Sequence, residues 1–151
     1  KSITSANAIL NLTPGSFGPG LTTDMVRDGS ILEISNQCIR PFYKSRAEVA
    51  MNWFESELAN FPFRVHTPEG AIFLWLWLND LPITSEMLYQ RLKARGVLVI
   101  PGEHFFPGLT EPWKHRHECI RVSYAQDQQT IERGIAIIAE EIRAAYDNAI
   151  P

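Results

Sequence analysis

Thr67-Pro68-Glu69-Gly70-Ala71-Ile72-Phe73-Leu74-Trp75-Leu76-Trp77-Leu78 is the stretch on which the fold turns. Thr67 to Gly70 is turn chemistry: the proline presets its own φ, and the glycine supplies a positive φ. Ala71 to Leu78 follows without a polar residue. It is far too short to span a bilayer, and its bulky side chains read as a strand at the centre of a sheet, covered on both faces. Phe63 to His66, before the turn, is a shorter strand. The two make a hairpin.

Downstream of the hairpin, Thr84 caps a helix that runs to Arg95. Its last turn carries Arg91, Lys93 and Arg95, as the helix dipole favours, and Gly96 closes it. Val97 to Ile100 is a third strand, Pro101 to His117 a loop rich in aromatics and charge, and Cys119 to Ser123 a fourth strand. Asp127 caps a final helix with an apolar stripe at Ile131, Ile135, Ile138, Ile142 and Ala145. Upstream, Pro62 ends a long helical stretch that Ser30 caps and that runs to Phe61. Pro41 kinks it or begins a second segment. Beyond Pro41, Ala47, Met51, Phe54, Leu58 and Phe61 recur on one face, which Trp53 widens. Leu21 to Arg27 is a short helix broken at Asp28-Gly29. Thr13 to Gly20 is too rich in proline and glycine for a regular element. Lys1 to Gly20 therefore reads as an arm, with Ile9, Leu10, Leu12 and Phe17 packed on a partner. The order of elements predicts an α+β fold with helices packed on a mostly antiparallel four-stranded sheet.

The 151 residues, 45% of them hydrophobic and 21% charged, suffice for one compact domain with a core. A net charge of −3 without a basic block argues against nucleic acid, because phosphate contacts need clustered Lys and Arg. No apolar run is long enough for a membrane helix, and no signal peptide is visible. Cys38 and Cys119 show no metal or disulfide pattern, so a reducing cytoplasm is expected. The absence of an initiator methionine hints that Lys1 is a cut end.

One residue stands apart. In Glu118-Cys119-Ile120-Arg121-Val122-Ser123-Tyr124, Arg121 is a permanent charge inside an apolar strand. A guanidinium held there is a fixed two-pronged donor suited to a carboxylate. Taken on spacing alone, the plainer alternative stands ahead: Arg121 faces solvent or pairs with a structural acid. Other constellations are weaker. His104, His115 and His117 could hold a metal, but Arg116 intervenes and no acidic cluster is near, so no metal site is assigned. Glu69 and Glu103 are isolated carboxylates. Ser16 and Ser123 lack a nucleophile-elbow setting. The glycines at 15, 18 and 20 follow no strong strand and precede no Gly-Lys-Ser/Thr. Trp75 and Trp77 fill core or interface.

Three stretches together carry a resemblance: Thr67 to Trp77, Leu88-Tyr89-Gln90-Arg91-Leu92-Lys93-Ala94-Arg95-Gly96-Val97-Leu98, and Pro101-Gly102 with Phe105-Phe106-Pro107-Gly108-Leu109. Pro14-Gly15, Gly18-Pro19 and Lys44-Ser45-Arg46 extend it less tightly. The chain resembles the C-terminal third of the fold-type I, pyridoxal-phosphate-dependent aminotransferases of the valine–pyruvate kind. That resemblance implies the end of a large cofactor domain over 1–28, a long kinked connecting helix over 29–61, and a small C-terminal α+β domain over 62–151. It implies amino and keto acids as small-molecule partners, the missing large domain of the same polypeptide, a homodimer, and conversion of valine and pyruvate to 2-oxoisovalerate and alanine. The family's strand arginine that grips the substrate α-carboxylate matches Arg121, and this turns the balance toward a functional role. Phe105 and Phe106, apolar and close to Arg121, would shape a pocket for a branched side chain. Asn11 and Thr13 fall near the segment that reaches the neighbouring subunit's cofactor phosphate.

The departure from the family is as informative. Its Schiff-base lysine lies in a Ser-Leu-Ser-Lys-like stretch followed by a phosphate-holding arginine, and neither is present. The chain's lysines are Lys1, Lys44, Lys93 and Lys114. None has a setting that would desolvate its amine. The aspartate for the pyridine nitrogen is missing too. The chain alone is expected to be inactive, with pyridoxal 5'-phosphate belonging to the full-length enzyme and not covalently bound here. The reading from another class is a non-catalytic, amino-acid-binding regulatory α+β module.

Overall fold

Strand β2, Phe73–Leu78, lies inside a four-stranded sheet of order β1-β2-β4-β3, with β1 at Phe63–Val65, β3 at Ile100–Pro101 and β4 at Cys119–Ser123. A computed structural model describes residues 17–148. All three strand pairings are antiparallel. Register puts Phe63 opposite Leu78, Leu76 opposite Ile120, and Trp75 opposite Arg121. Strands alternate faces every residue, so this register sorts the side chains into two sets.

Leu74, Leu76, Leu78, Ile120 and Val122 form the helix-facing set, all buried. They share one core with Ala47, Ala50, Phe54 and Leu58, with Leu88 and Leu92, and with Ile131, Ile135, Ile138 and Ile142. These residues come from α3 (Arg40–Glu57) and the turn after it, α4 (Ser85–Ala94) and α5 (Gln128–Asp147). The α5 stripe is buried as its spacing predicts. The opposite set, Phe73, Trp75, Trp77 and Arg121, is only half-buried. β2 is thus central, but the expected cover on both faces is a helix layer on one and a partial loop on the other.

Caps match the sequence in two places. Thr84 Oγ1 accepts from the Met87 amide at 3.2 Å, and Asp127 Oδ1 accepts from the Thr130 amide at 3.0 Å. At Ser30 the expectation fails. Gly29, at φ 81°, precedes the helix without a side-chain cap, and Asp28 Oδ1 accepts from the Ser30 amide at 2.9 Å. At the Thr67–Gly70 turn the positive φ belongs to Ala71, at 64°, and not to Gly70. The Tyr124 hydroxyl donates to the Ala71 carbonyl at 2.8 Å and holds it there.

The chain divides into two compact units at Pro41. In the first, α1 runs Phe17–Asp28, starting earlier than the glycine and proline content suggested. Pro19 sits in the first turn, where a missing amide costs nothing. α2 (Ser30–Ile34) follows, then a π-turn over Ser35–Ile39. Pro41 cannot donate back to the preceding turn; a π-turn stands ahead of it and a new α-helical segment begins at Arg40, the second of the two outcomes expected there. The rest of the Lys1–Gly20 arm lies outside the described residues.

Pro101 to His117, expected as a loop, contains 3-10 turns at Gly102–Phe105 and Lys114–His117. β3 starts later than expected, leaving Val97 to Val99 outside the ladder, and it includes Pro101, after which the chain turns at once into the first 3-10 turn.

Candidate carboxylate-binding site

Arg121 sits on the sheet face turned away from the helices, opposite Trp75 on one side and Ile100 on the other. Its guanidinium carbon is 4.1 Å from the centroid of the Phe73 ring and 4.8 Å from that of Phe105. Strand β2 supplies the first ring and the 3-10 turn after β3 the second. Two aromatic rings thus lie within cation–π distance of the guanidinium.

Among the described residues Arg121 makes no ion pair or hydrogen bond, and its Nε is buried without a partner. Buried donors are normally satisfied, so this one needs a structural account. The neighbouring acids are engaged elsewhere. Glu118, one turn of the backbone away, is buried and accepts from Trp77 Nε1 at 2.9 Å and the Asp80 amide at 3.1 Å, and it pairs with Lys114 Nζ at 3.1 Å. Glu103 pairs with His117 Nδ1 at 2.8 Å. The alternative of a structural acid on Arg121 therefore finds no acid among the described residues.

The loop beside the arginine is fixed by a close approach. A Cβ at Gly102 would lie 2.8 Å from the Arg116 carbonyl oxygen and 2.8 Å from Cys119 Cβ. From there a train of edge-on rings crosses the face. Trp75 meets Phe105 at 5.0 Å, Phe106 meets Trp113 at 5.0 Å, and Trp77 meets His115 at 4.9 Å. Phe105, Phe106, Leu109 and Trp113 line a shallow recess of about 690 Å³. A larger recess of about 760 Å³, between the end of α4 and α5, has an aliphatic floor and does not include Arg121. Chemistry outweighs size here, and the first recess borders the candidate site.

Sequence-predicted residues fare differently. Arg121 and Phe105 are in contact. Phe106 packs edge-on against Trp75, with centroids 6.2 Å apart. Asn11 and Thr13 lie outside the described residues. The three histidines are not gathered: His115 stacks on Trp77 and Trp113, and His117 holds Glu103. His104 instead falls near Glu86 and Glu103. Phe73 is the site residue that sequence reasoning missed. Its signal was its place in β2, two positions before the arginine's cross-strand partner.

The lysines bear on a cofactor. Lys114 Nζ is 2.6 Å from Asp80 Oδ1, and hydrogen bonds to Asp80 and Glu118 push its pKa up, the opposite of a nucleophile's need. Lys93 lies 5.8 Å over the Tyr89 ring, and Lys44 is exposed, 3.9 Å from Glu48. Among the described residues no lysine suits covalent attachment of pyridoxal phosphate. What the residues fit is a carboxylate on Arg121.

Comparison with known proteins agrees with the geometry. No family model matches the chain. It is 47% identical to the valine–pyruvate aminotransferase of Escherichia coli K12 over 145 residues, which is 96% of this chain and 35% of that enzyme. The crystal structure of a valine–pyruvate aminotransferase from Salmonella typhimurium superposes with a TM-score of 0.86 at 46% identity, over 97% of this chain and 38% of the other. A multiple-substrate aminotransferase from Thermococcus profundus matches at a TM-score of 0.73 and 25% identity, over 95% and 34%. The fold is that of the C-terminal α+β part of the aminotransferase family. Within it, the similarity is to valine–pyruvate aminotransferase. The chain spans about a third of the length of these relatives.

Proposed function

We propose that this chain is the substrate-gripping C-terminal part of a pyridoxal-phosphate-dependent valine–pyruvate aminotransferase. The observation that carries the reading is Arg121, held beside two aromatic rings and unpaired among the described residues. The α-carboxylate of valine, and then of pyruvate, docks on its edge as a planar, charge-assisted pair. Pyridoxal phosphate, when bound by the rest of the polypeptide, supplies the electron sink for transamination. This chain's residues bind and orient. Arg121 fixes one end of the substrate, and Phe105 and Phe106 keep water from the aliphatic side chain. Asn11 and Thr13 would serve the cofactor phosphate across a homodimer. A cytoplasmic setting accords with two free thiols, Cys38 and Cys119. No helix among the described residues is long and apolar enough to cross a membrane.

The test is alanine formation from valine and pyruvate by the full-length enzyme with added pyridoxal phosphate. A hydrogen bond to a charged group is worth about 1.5–3 kcal/mol. Arg121→Ala should therefore lower kcat/KM for valine by about one to two decades, with Arg121→Lys recovering only part for want of the planar fork. Unchanged kinetics in Arg121→Ala would remove the clamp from the reading. The regulatory-module alternative predicts amino-acid binding without any alanine formed.

A further inference from the structure

We infer that Phe73 and Phe105 are positioning residues for Arg121, so that carboxylate binding and the packing of the Gly102–His117 loop are coupled. The inference rests on the proposed role of Arg121 and adds the residues that make the arginine a rigid reader.

An arginine side chain has four rotatable bonds, and on an open sheet face most of its conformers would point the fork away from a substrate. Two rings remove that freedom. Phe73 comes from the same sheet, opposite Ser123 in the register, and its ring centroid lies 4.1 Å from the guanidinium carbon. The Phe105 centroid lies 4.8 Å from the same carbon. Both distances fall inside the range of about 6 Å over which a cation is held by a ring face. The two ring contacts restrict the orientation of the fork, and its orientation sets the direction from which a carboxylate can be gripped.

The two rings are not equivalent. Phe73 is anchored in a strand. Phe105 belongs to a 3-10 turn, is 37% exposed, and is held from the side by the Trp75 ring at 5.0 Å and 89°. Trp75 is itself the cross-strand partner of Arg121. The loop therefore reaches the arginine directly through Phe105 and indirectly through Trp75. If the stacked loop favours the gripping pose of Arg121, then a carboxylate on Arg121 must favour the stacked loop by the same factor, because linkage is reciprocal.

The test uses the full-length holoenzyme carrying Phe73→Leu or Phe105→Leu, with Phe73→Tyr and Phe105→Tyr as conservative counterparts. Two quantities are read: KM against kcat for valine, and the calorimetric Kd of 3-methylbutanoate, a carboxylate that lacks the reacting amine. Each leucine variant should raise KM and Kd on the order of 2- to 30-fold, the span of a cation–π contact, with a smaller change in kcat. The tyrosine variants, which keep the ring face, should lie closer to the parent values than the leucine variants do. In an Arg121→Ala background, both leucine changes should lose their effect on Kd. Leucine variants with parent KM and Kd, or effects that add in full to Arg121→Ala, would overturn the inference. If Phe73→Leu does not fold, Phe105→Leu decides, since that ring is partly exposed. The two levels separate cleanly. Arg121→Ala with parent KM and Kd overturns the clamp and this inference together, whereas a damaging Arg121→Ala beside silent leucine variants overturns this inference alone.

Discussion

Glu118 shows how much one buried carboxylate organises. It takes the Trp77 indole, the Asp80 amide and the Lys114 ammonium, and so ties the end of β2 to the end of the loop. Glu118→Gln would present an amide N–H₂ toward one of those donors. The expected cost is about 1–3 kcal/mol, the penalty of a buried donor left unmade, read as a lower urea midpoint with an unchanged m-value. A midpoint equal to the parent's would show that the network is not structural. Cys119, next in the chain, is pushed up to about 11 from 9.0, chiefly by burial. Tyr146 is pushed up to about 12 from 10.0, again chiefly by burial, with Glu118 and Asp80 adding to it. Both groups are raised in the folded state. Their stabilising contribution is complete below the unfolded values and is lost as pH rises through the folded ones. Equilibrium stability should accordingly fall between pH 9 and pH 12, and a flat or rising midpoint there would contradict these environments. At this scale the sequence was legible where a residue type clashed with its surroundings. Arg121 in an apolar strand announced itself. Phe73 did not, because an aromatic residue in an apolar run is unremarkable until the register places it against the arginine.

Among the elements, the loop from Gly102 to His117 is the most constrained. Gly102→Ala would drive a Cβ into the Arg116 carbonyl and the Cys119 side chain. Backbone and a buried side chain cannot step aside cheaply, so the expected loss is about 1–3 kcal/mol, as for overpacking. The change should also alter KM for valine, because the same turn carries Phe105. Loss of stability with KM untouched would separate the turn from the site. At the start of α4, Thr84→Ala should cost about 1 kcal/mol, the usual worth of a cap, measured by thermal melting. Caps and stripes were readable because they depend on residues three or four apart. The 3-10 turns, the two-residue β3 and the π-turn before Pro41 were not, since each reflects a missing amide or a close contact across the fold and no local periodicity marks it. The left-handed residue at Ala71, next to a glycine that does not use its freedom, belongs with these. A hydroxyl from β4's far end decides it.

For the whole molecule, two faces of one sheet have been given different work. The helix side is mostly aliphatic and buried, and the other is aromatic, half-buried and carries the arginine. Alternation in β2 held the clue, since Leu74, Leu76 and Leu78 interleave with Phe73, Trp75 and Trp77. A run without polar residues hid that division, and so a two-faced strand read as a buried one. The architecture itself was legible from the order of the elements. Because no described lysine suits the cofactor, the chain expressed alone with pyridoxal phosphate should form no alanine from valine and pyruvate, while the full-length enzyme should. Turnover by the isolated chain would mean that its chemistry lies elsewhere than proposed.

The aromatic face also has an optical meaning. Of the four tryptophans, Trp75, Trp77 and Trp113 belong to the train of rings that leads to Arg121, and only Trp53 lies against the helical core. Emission excited at the red edge of the indole band thus comes mostly from the site's own wall. A probe already built into the protein reports on this surface, with no label attached, whenever a ligand's arrival changes how those rings touch.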